Sequence, residues 1–132
     1  MSTIFTKIIN REIPSQFVYE DDVCVVVMDK FPAISGQTLV IPKVEVDYAF
    51  DLDDETYAHI FAVAKKITKA SDKAFSTFRT CLVVEGFEVP HVHIKLYPMT
   101  EKQSLGAAIS GTPEPADDAV LAEQAEQIKT AL

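Results

Sequence analysis

Residues 89–98 read Val89-Pro90-His91-Val92-His93-Ile94-Lys95-Leu96-Tyr97-Pro98, and polar and apolar side chains alternate through the run. A period of two marks a half-buried β-strand, predicted here over His91 to Tyr97, with Val92, Ile94 and Leu96 on a core face. His91, His93 and Lys95 then share the other face. Same-face neighbours on a strand lie roughly 6.5–7 Å apart, so a phosphate-sized group could touch the middle side chain and be flanked by the outer two.

Neutral imidazole, with a reference pKa of about 6.5, is largely unprotonated near neutral pH and is a competent nucleophile. Covalent histidine catalysis at phosphorus needs positive or hydrogen-donating neighbours to meet the charge that builds on the phosphoryl oxygens, and Lys95 supplies fixed positive charge. Two other readings stand beside this one. The alternation is what any half-exposed strand shows, and two histidines on one strand face could share a zinc ion if further ligands were near. Neither a third histidine nor a cysteine is placed for that by the sequence, so no metal is expected.

Outward from this strand, Thr80 to Glu85 reads as its partner across the turn at Gly86. Phe17 to Glu20 and Val23 to Met28 flank Asp21-Asp22 as a hairpin, and the second run is apolar throughout, as for a strand covered on both faces. Thr38 to Ile41 is a third strand closed by Pro42. Ile4, Phe5, Ile8 and Ile9 fall at helical offsets in a short helix over Thr3 to Ile9 that ends before Pro14. Asp53 or Asp54 can cap a long helix with Tyr57, Ile60, Phe61, Ala64, Ile67 and Ala70 on one stripe and Lys65, Lys66, Lys69 and Lys73 in its later turns. His59 falls at the edge of that stripe and reads as a surface residue. Beyond Pro98 a Gly- and Pro-containing loop leads to a helix over Ala116 to Leu132. Five strands in hairpin-like order with added helices predict an α+β domain with a mostly antiparallel sheet.

The chain has 132 residues, 48% of them hydrophobic and 24% charged, the composition of a single globular domain. Its formal charge of −8 gives a field that repels nucleic acid and anionic membrane surfaces, so any phosphate ligand must be held by local contacts. Acids cluster from Glu45 to Glu55 and from Glu114 to Glu126, a pattern of solvated helix ends and faces. Cys24 and Cys81 show no metal or disulfide spacing, and no leader or spanning segment is evident, so a soluble cytoplasmic protein is expected.

Four stretches, in order, resemble the histidine triad (HIT) family. Residues 89–98 resemble its signature of three histidines separated by apolar residues, with Lys95 at the third histidine position. Residues 3–14 resemble its opening helix and loop, and Phe17 to Pro32 its first hairpin. Ser35-Gly36-Gln37-Thr38-Leu39-Val40-Ile41-Pro42-Lys43 resembles its Gly-His-Thr-Leu-Val-Ile-Pro-Lys segment. The resemblance implies one HIT-like domain over residues 1–132, with a motif-bearing core at 3–98 and a C-terminal loop and helix at 99–132. It implies a five-stranded, mostly antiparallel sheet with a long central helix and a C-terminal helix, paired into a homodimer.

The same resemblance implies a small purine nucleotide as ligand and transfer or hydrolysis of nucleoside monophosphate groups from phosphoramidates or nucleoside polyphosphates, without a cofactor. By position, His93 would be the nucleophile that carries the nucleotidyl group, with His91 orienting or polarising and Lys95 clamping phosphate. Asp29 would bind ribose. Ile4, Phe5, Ile8, Ile13, Val27, Met28, Lys30 and Val89 would form the nucleoside pocket. Several positions depart from the family pattern. Gln37 and Glu45 stand where many members have histidine, and Thr3 and Thr6 stand where some bacterial relatives place two zinc-binding cysteines. Of that zinc set only His91 is kept. Glu88 occupies the place of a phosphate-contacting Ser or Thr and is expected to repel phosphate unless it pairs with Lys95. Two readings therefore stay open, a specialised nucleotidyl hydrolase or transferase and a catalytically impaired nucleotide-binding or scaffold protein.

Overall fold

A computed structural model describes residues 2–132. Five strands, β1 (Phe17–Glu20), β2 (Cys24–Met28), β3 (Thr38–Pro42), β4 (Arg79–Val83) and β5 (Ile94–Met99), form one sheet in the order β1-β2-β3-β5-β4. Every neighbouring pair is antiparallel, as expected from the hairpin-like spacing. Among the described residues, four α-helices and a 3-10 turn (Ala49–Asp51) accompany it: α1 (Ile4–Ile9), the long α2 (Asp54–Phe75), a single turn α3 (Leu105–Ala108) and the C-terminal α4 (Asp118–Ala131).

The alternation of β2, β3 and β5 sorts their side chains onto two covered faces. Val26, Val40, Ile94 and Leu96 pack with Ile60, Ala64 and Ile67 of α2 and Leu121, Ala125 and Ile128 of α4 in the larger core. On the opposite face Val25, Val27, Leu39 and Ile41 pack with Phe5 and Ile8 of α1. Complete burial of an Ile or Leu side chain contributes roughly 1.5–3 kcal/mol, so the face under the two long helices carries most of the apolar stabilisation. The Asp53 carboxylate caps α2 by accepting from Thr56 N at 2.6 Å, and the helix stops at Ser76, whose φ of 52° is left-handed. The C-terminal helix lies wholly on the α2 side, away from the α1 face. No helix among the described residues is long and apolar enough to cross a membrane.

Three elements differ from the sequence reading. β5 starts at Ile94 instead of His91, because Val92 N donates to Val46 O and His91 N to Val89 O, taking residues 91 and 92 out of the ladder. The side-chain alternation nonetheless continues through them. The loop after Pro98 contains the extra turn α3, capped by Ser104, and α4 begins at Asp118 with Asp117 as its cap. His59 is half-buried, not a plain surface residue, and its Nε2 lies 2.7 Å from Asp21 Oδ2. Asp21 is a hub: Oδ2 also accepts from Tyr19 OH at 2.7 Å, and Oδ1 accepts from Val23 N and Cys24 N at 2.8 and 2.9 Å. Burial pushes the Asp21 carboxyl up, but these hydrogen bonds outweigh it and hold the group well below the usual carboxylate range.

Candidate functional site

His93 precedes β5 by one residue and is 5% exposed on the α1 side of the sheet, its ring centroid 4.7 Å from that of Phe5. Its Nδ1 lies 2.8 Å from the main-chain oxygen of His91. A carbonyl only accepts, so Nδ1 carries the proton and the lone pair of the neutral ring is on Nε2. Burial pushes the His93 pKa below the ordinary histidine value, opposed by the His91 hydrogen bond and reinforced by the Lys95 charge. The geometry thus favours a neutral imidazole with a fixed tautomer.

His91 is fully buried and both its ring nitrogens are occupied, Nε2 at 2.8 Å from Pro42 O and Nδ1 at 2.8 Å from Thr3 Oγ1. Its side chain therefore holds structure and its carbonyl holds His93. Lys95 lies in β5, opposite Leu39 and Val83. Its ammonium is 3.8 Å from Glu85 Oε2, whereas Glu88 is exposed and takes no part in an ion pair among the described residues. The acid beside Lys95 is thus Glu85, two residues past the end of β4, and not Glu88.

Asp29 follows β2 directly and is anchored by a residue that the sequence reading noted only as a departure from the family pattern. Gln37, buried at 3% exposure, donates from Nε2 to Asp29 Oδ2 at 2.7 Å, while its Oε1 accepts from Ala33 N at 2.8 Å and Ile34 N at 3.3 Å. Gly36 makes this possible. Its φ is +86°, and a Cβ there would meet the Phe75 ring at 2.8 Å, so only glycine turns the chain so that Gln37 points inward. Phe31 N donates to Asp29 Oδ1 at 2.9 Å. Burial raises the Asp29 pKa despite these bonds and the Lys95 charge.

The predicted nucleoside contacts divide. Phe5, Ile8 and Val27 belong to the α1-side cluster, with Ile13 and Val89 packed against it. Ile4 is about half exposed at the helix surface. Alternation turns the Met28 side chain to the opposite face, into the core under α2. The Lys30 ammonium donates to Ala116 O at 2.7 Å and Asp118 Oδ1 at 2.8 Å and clips the start of α4. A cavity of about 110 Å³ reaches His93 from the other side, between Tyr48, Phe50, Tyr57 and Phe61, and is too small for a nucleotide.

A family model for the HIT domain matches residues 10–102. The chain belongs to the HIT family. It is 34% identical over 110 residues to an uncharacterized HIT-like protein of Borreliella burgdorferi, covering 78% of this chain and 79% of that one. It is 33% identical over 100 residues to the purine nucleoside phosphoramidase of Escherichia coli, covering 71% and 84%. Among solved structures, a HIT-like protein involved in cell-cycle regulation from Bartonella henselae superposes with a TM-score of 0.86 at 34% identity, over 99% of this chain and 96% of that one.

Within this HIT chain, Thr3, Thr6, Glu45 and His91 converge without making a zinc donor set. Glu45 Oε1 accepts from Thr3 N at 2.9 Å and from the Thr6 hydroxyl at 2.7 Å, and the Thr3 hydroxyl meets His91. Zinc sites use thiolate, imidazole and carboxylate. Two neutral hydroxyls, with both His91 nitrogens already engaged, do not fit the ion. A second group of potential ligands, Asp21, Cys24 and His59, lies within 4.8 Å of one another. Both Asp21 oxygens are already satisfied there, and burial with the Asp21 charge pushes the Cys24 thiol up to about 12, so the cluster is complete as a hydrogen-bonded hub.

Proposed function

We propose that this protein binds a purine nucleoside monophosphate group on the α1 side of the sheet and transfers it to water or another acceptor through His93. The observation that carries the reading is the His93 imidazole, tied at Nδ1 to the His91 carbonyl and buried beside Phe5, with Lys95 and Asp29 near enough to influence its charge. In the first step the Nε2 lone pair attacks phosphorus, a P–N bond forms, and the bond to the leaving group breaks. The leaving group departs with that electron pair and takes a proton from water. Water then attacks phosphorus, the P–N bond breaks with its electrons returning to Nε2, and the water's proton is released. Lys95, at the third histidine position, supports this by meeting the negative charge on the phosphoryl oxygens. The purine nucleoside phosphoramidase activity named for the E. coli relative supports a phosphoramidate substrate class.

Asp29 is assigned to the ribose hydroxyls, with Gln37 holding it in place. Two hydroxyl bonds to a carboxylate account for a sizeable share of binding, each charge-assisted bond contributing roughly 1.5–3 kcal/mol. Titration calorimetry with adenosine monophosphate should show Asp29→Ala binding about 10- to 100-fold more weakly. Wild-type affinity in that variant would remove the ribose assignment, and no binding by the wild type would remove the whole reading.

The depressed His93 pKa sets the acid limb of the rate. The neutral ring is the reactive form, so kcat/KM should hold as pH falls to about 6.5, the ordinary histidine value, and decline only below it. A limb centred above that value would contradict the assigned environment. A homodimer is also proposed, through the open edge of β4 and the exposed Leu82 on that strand. Light scattering should read about twice the chain's 14.6 kDa. A monomer at working concentration would count against it.

The position of Lys95 also favours the second reading, a nucleotide-binding or scaffold protein with impaired turnover. Adenosine monophosphate binding without any nucleotidyl-histidine would select it.

A further inference from the structure

We propose that Thr3, Thr6 and Glu45 form a metal-free hydrogen-bonded latch that positions the His93 imidazole through His91. The proposal rests on His93 as nucleophile, and it concerns positioning residues, none of which touches substrate. Glu45, in the loop after β3, grips the first turn of α1 by accepting from Thr3 N at 2.9 Å and Thr6 Oγ1 at 2.7 Å. Those bonds hold its carboxyl below the usual carboxylate range. Within the turn, Thr6 N donates to Thr3 Oγ1 at 3.1 Å. The Thr3 hydroxyl is then directed at His91 Nδ1, 2.8 Å away.

The direction of each proton follows from its partner. His91 Nε2 faces the Pro42 carbonyl, which can only accept, so Nε2 is protonated and the neutral ring's Nδ1 accepts from Thr3. The buried ring is thereby clamped between α1 and the end of β3. The main-chain oxygen of the same residue receives the His93 Nδ1 proton, so one residue connects the clamp to the nucleophile's tautomer.

A clamp is needed here because residues 89–93 lie outside the sheet ladder. Around the His91 peptide, among the described residues, the main-chain amides bond as His91 N to Val89 O and Val92 N to Val46 O. The six-residue α1 is too short to hold its own position, and Phe5 on it touches both histidine rings. Loosening the latch therefore frees the His91 carbonyl and the Phe5 ring together. A nucleophile misplaced by about 1 Å can lose roughly 10²-fold in rate while ground-state binding persists.

The test compares full-length wild type with Thr3→Val, which keeps the shape and removes the hydroxyl, and Thr3→Ser, which restores it. Long-range proton–nitrogen NMR of the imidazoles reads the His91 and His93 tautomers, and rapid quench with an adenosine 5′-phosphoramidate reads adduct formation. Thr3→Val should change the single-tautomer signatures, lower the adduct rate about 10- to 100-fold with adenosine monophosphate affinity within about threefold, and be rescued by Thr3→Ser. Wild-type tautomers and rate in Thr3→Val would overturn the latch. If the wild type forms no adduct, the proposed chemistry fails, while the tautomer comparison still decides the latch. Should Thr3→Val not fold, Glu45→Ala at an exposed position carries the same comparison. Chelator treatment should leave the wild-type spectrum unchanged, and a changed spectrum would overturn the metal-free assignment.

Discussion

Replacing His93 with alanine is expected to abolish nucleotidyl-enzyme formation and reduce phosphoramidate turnover on the order of 10⁴-fold or more, while adenosine monophosphate still binds. The size follows from the role. A nucleophile that forms the covalent intermediate has no substitute within the described site: both His91 ring nitrogens are bonded to Thr3 and Pro42, and the Lys95 ammonium is a donor without a lone pair. The ring fills space against Phe5, so its loss leaves a gap at one edge of the α1-side cluster and spares the larger core under α2. Steady-state kinetics beside calorimetry separates the two effects. Unchanged turnover would assign the chemistry to another group.

Lys95→His is expected to raise kcat by about 10²–10⁴-fold, the usual contribution of a positioned general acid or base. Lysine at this position offers the phosphate a positive charge and hydrogen-bond donors, whereas imidazole can both give and take a proton in general acid–base catalysis. Histidine would restore proton transfer to the leaving group at some loss of charge. The exchange is structurally mild, because Lys95 is partly exposed in β5 and its contact with Glu85 is a long one at 3.8 Å. A rate that stays level or falls would mean that the site is built around an ammonium, and that the ligand's charge, not its leaving group, dictates the residue.

The period-two run at 89–98 was readable in sequence down to which side chains enter which face, and the apolar run of β2 announced a strand covered on both sides. Local pattern carries that information because facing and burial are set by alternation itself. What lay hidden were pairings across long sequence separations between residues of unremarkable type. Glu45 meets Thr3 and Thr6, Gln37 turns inward to Asp29 because Gly36 lets it, and His59 reaches Asp21 across the hairpin. Lys30 and Met28 were assigned to the pocket by position alone. Alternation does place Met28 on the face opposite its neighbour Val27. Nothing local foretold that Lys30 would clip α4, a contact made with residues more than eighty positions away. The early start expected for β5 failed for a similar reason, the Val92 amide being taken by Val46 from the loop after β3.

Intact-mass analysis of the wild-type protein, mixed with an adenosine 5′-phosphoramidate and quenched within milliseconds in alkaline denaturant, tests the central claim most directly. The predicted result is one added adenylyl group per chain, located on His93 by peptide mapping and chased away by longer incubation. Saturating adenosine monophosphate binding with no adduct at any quench time, or an adduct mapped to another residue, would contradict it.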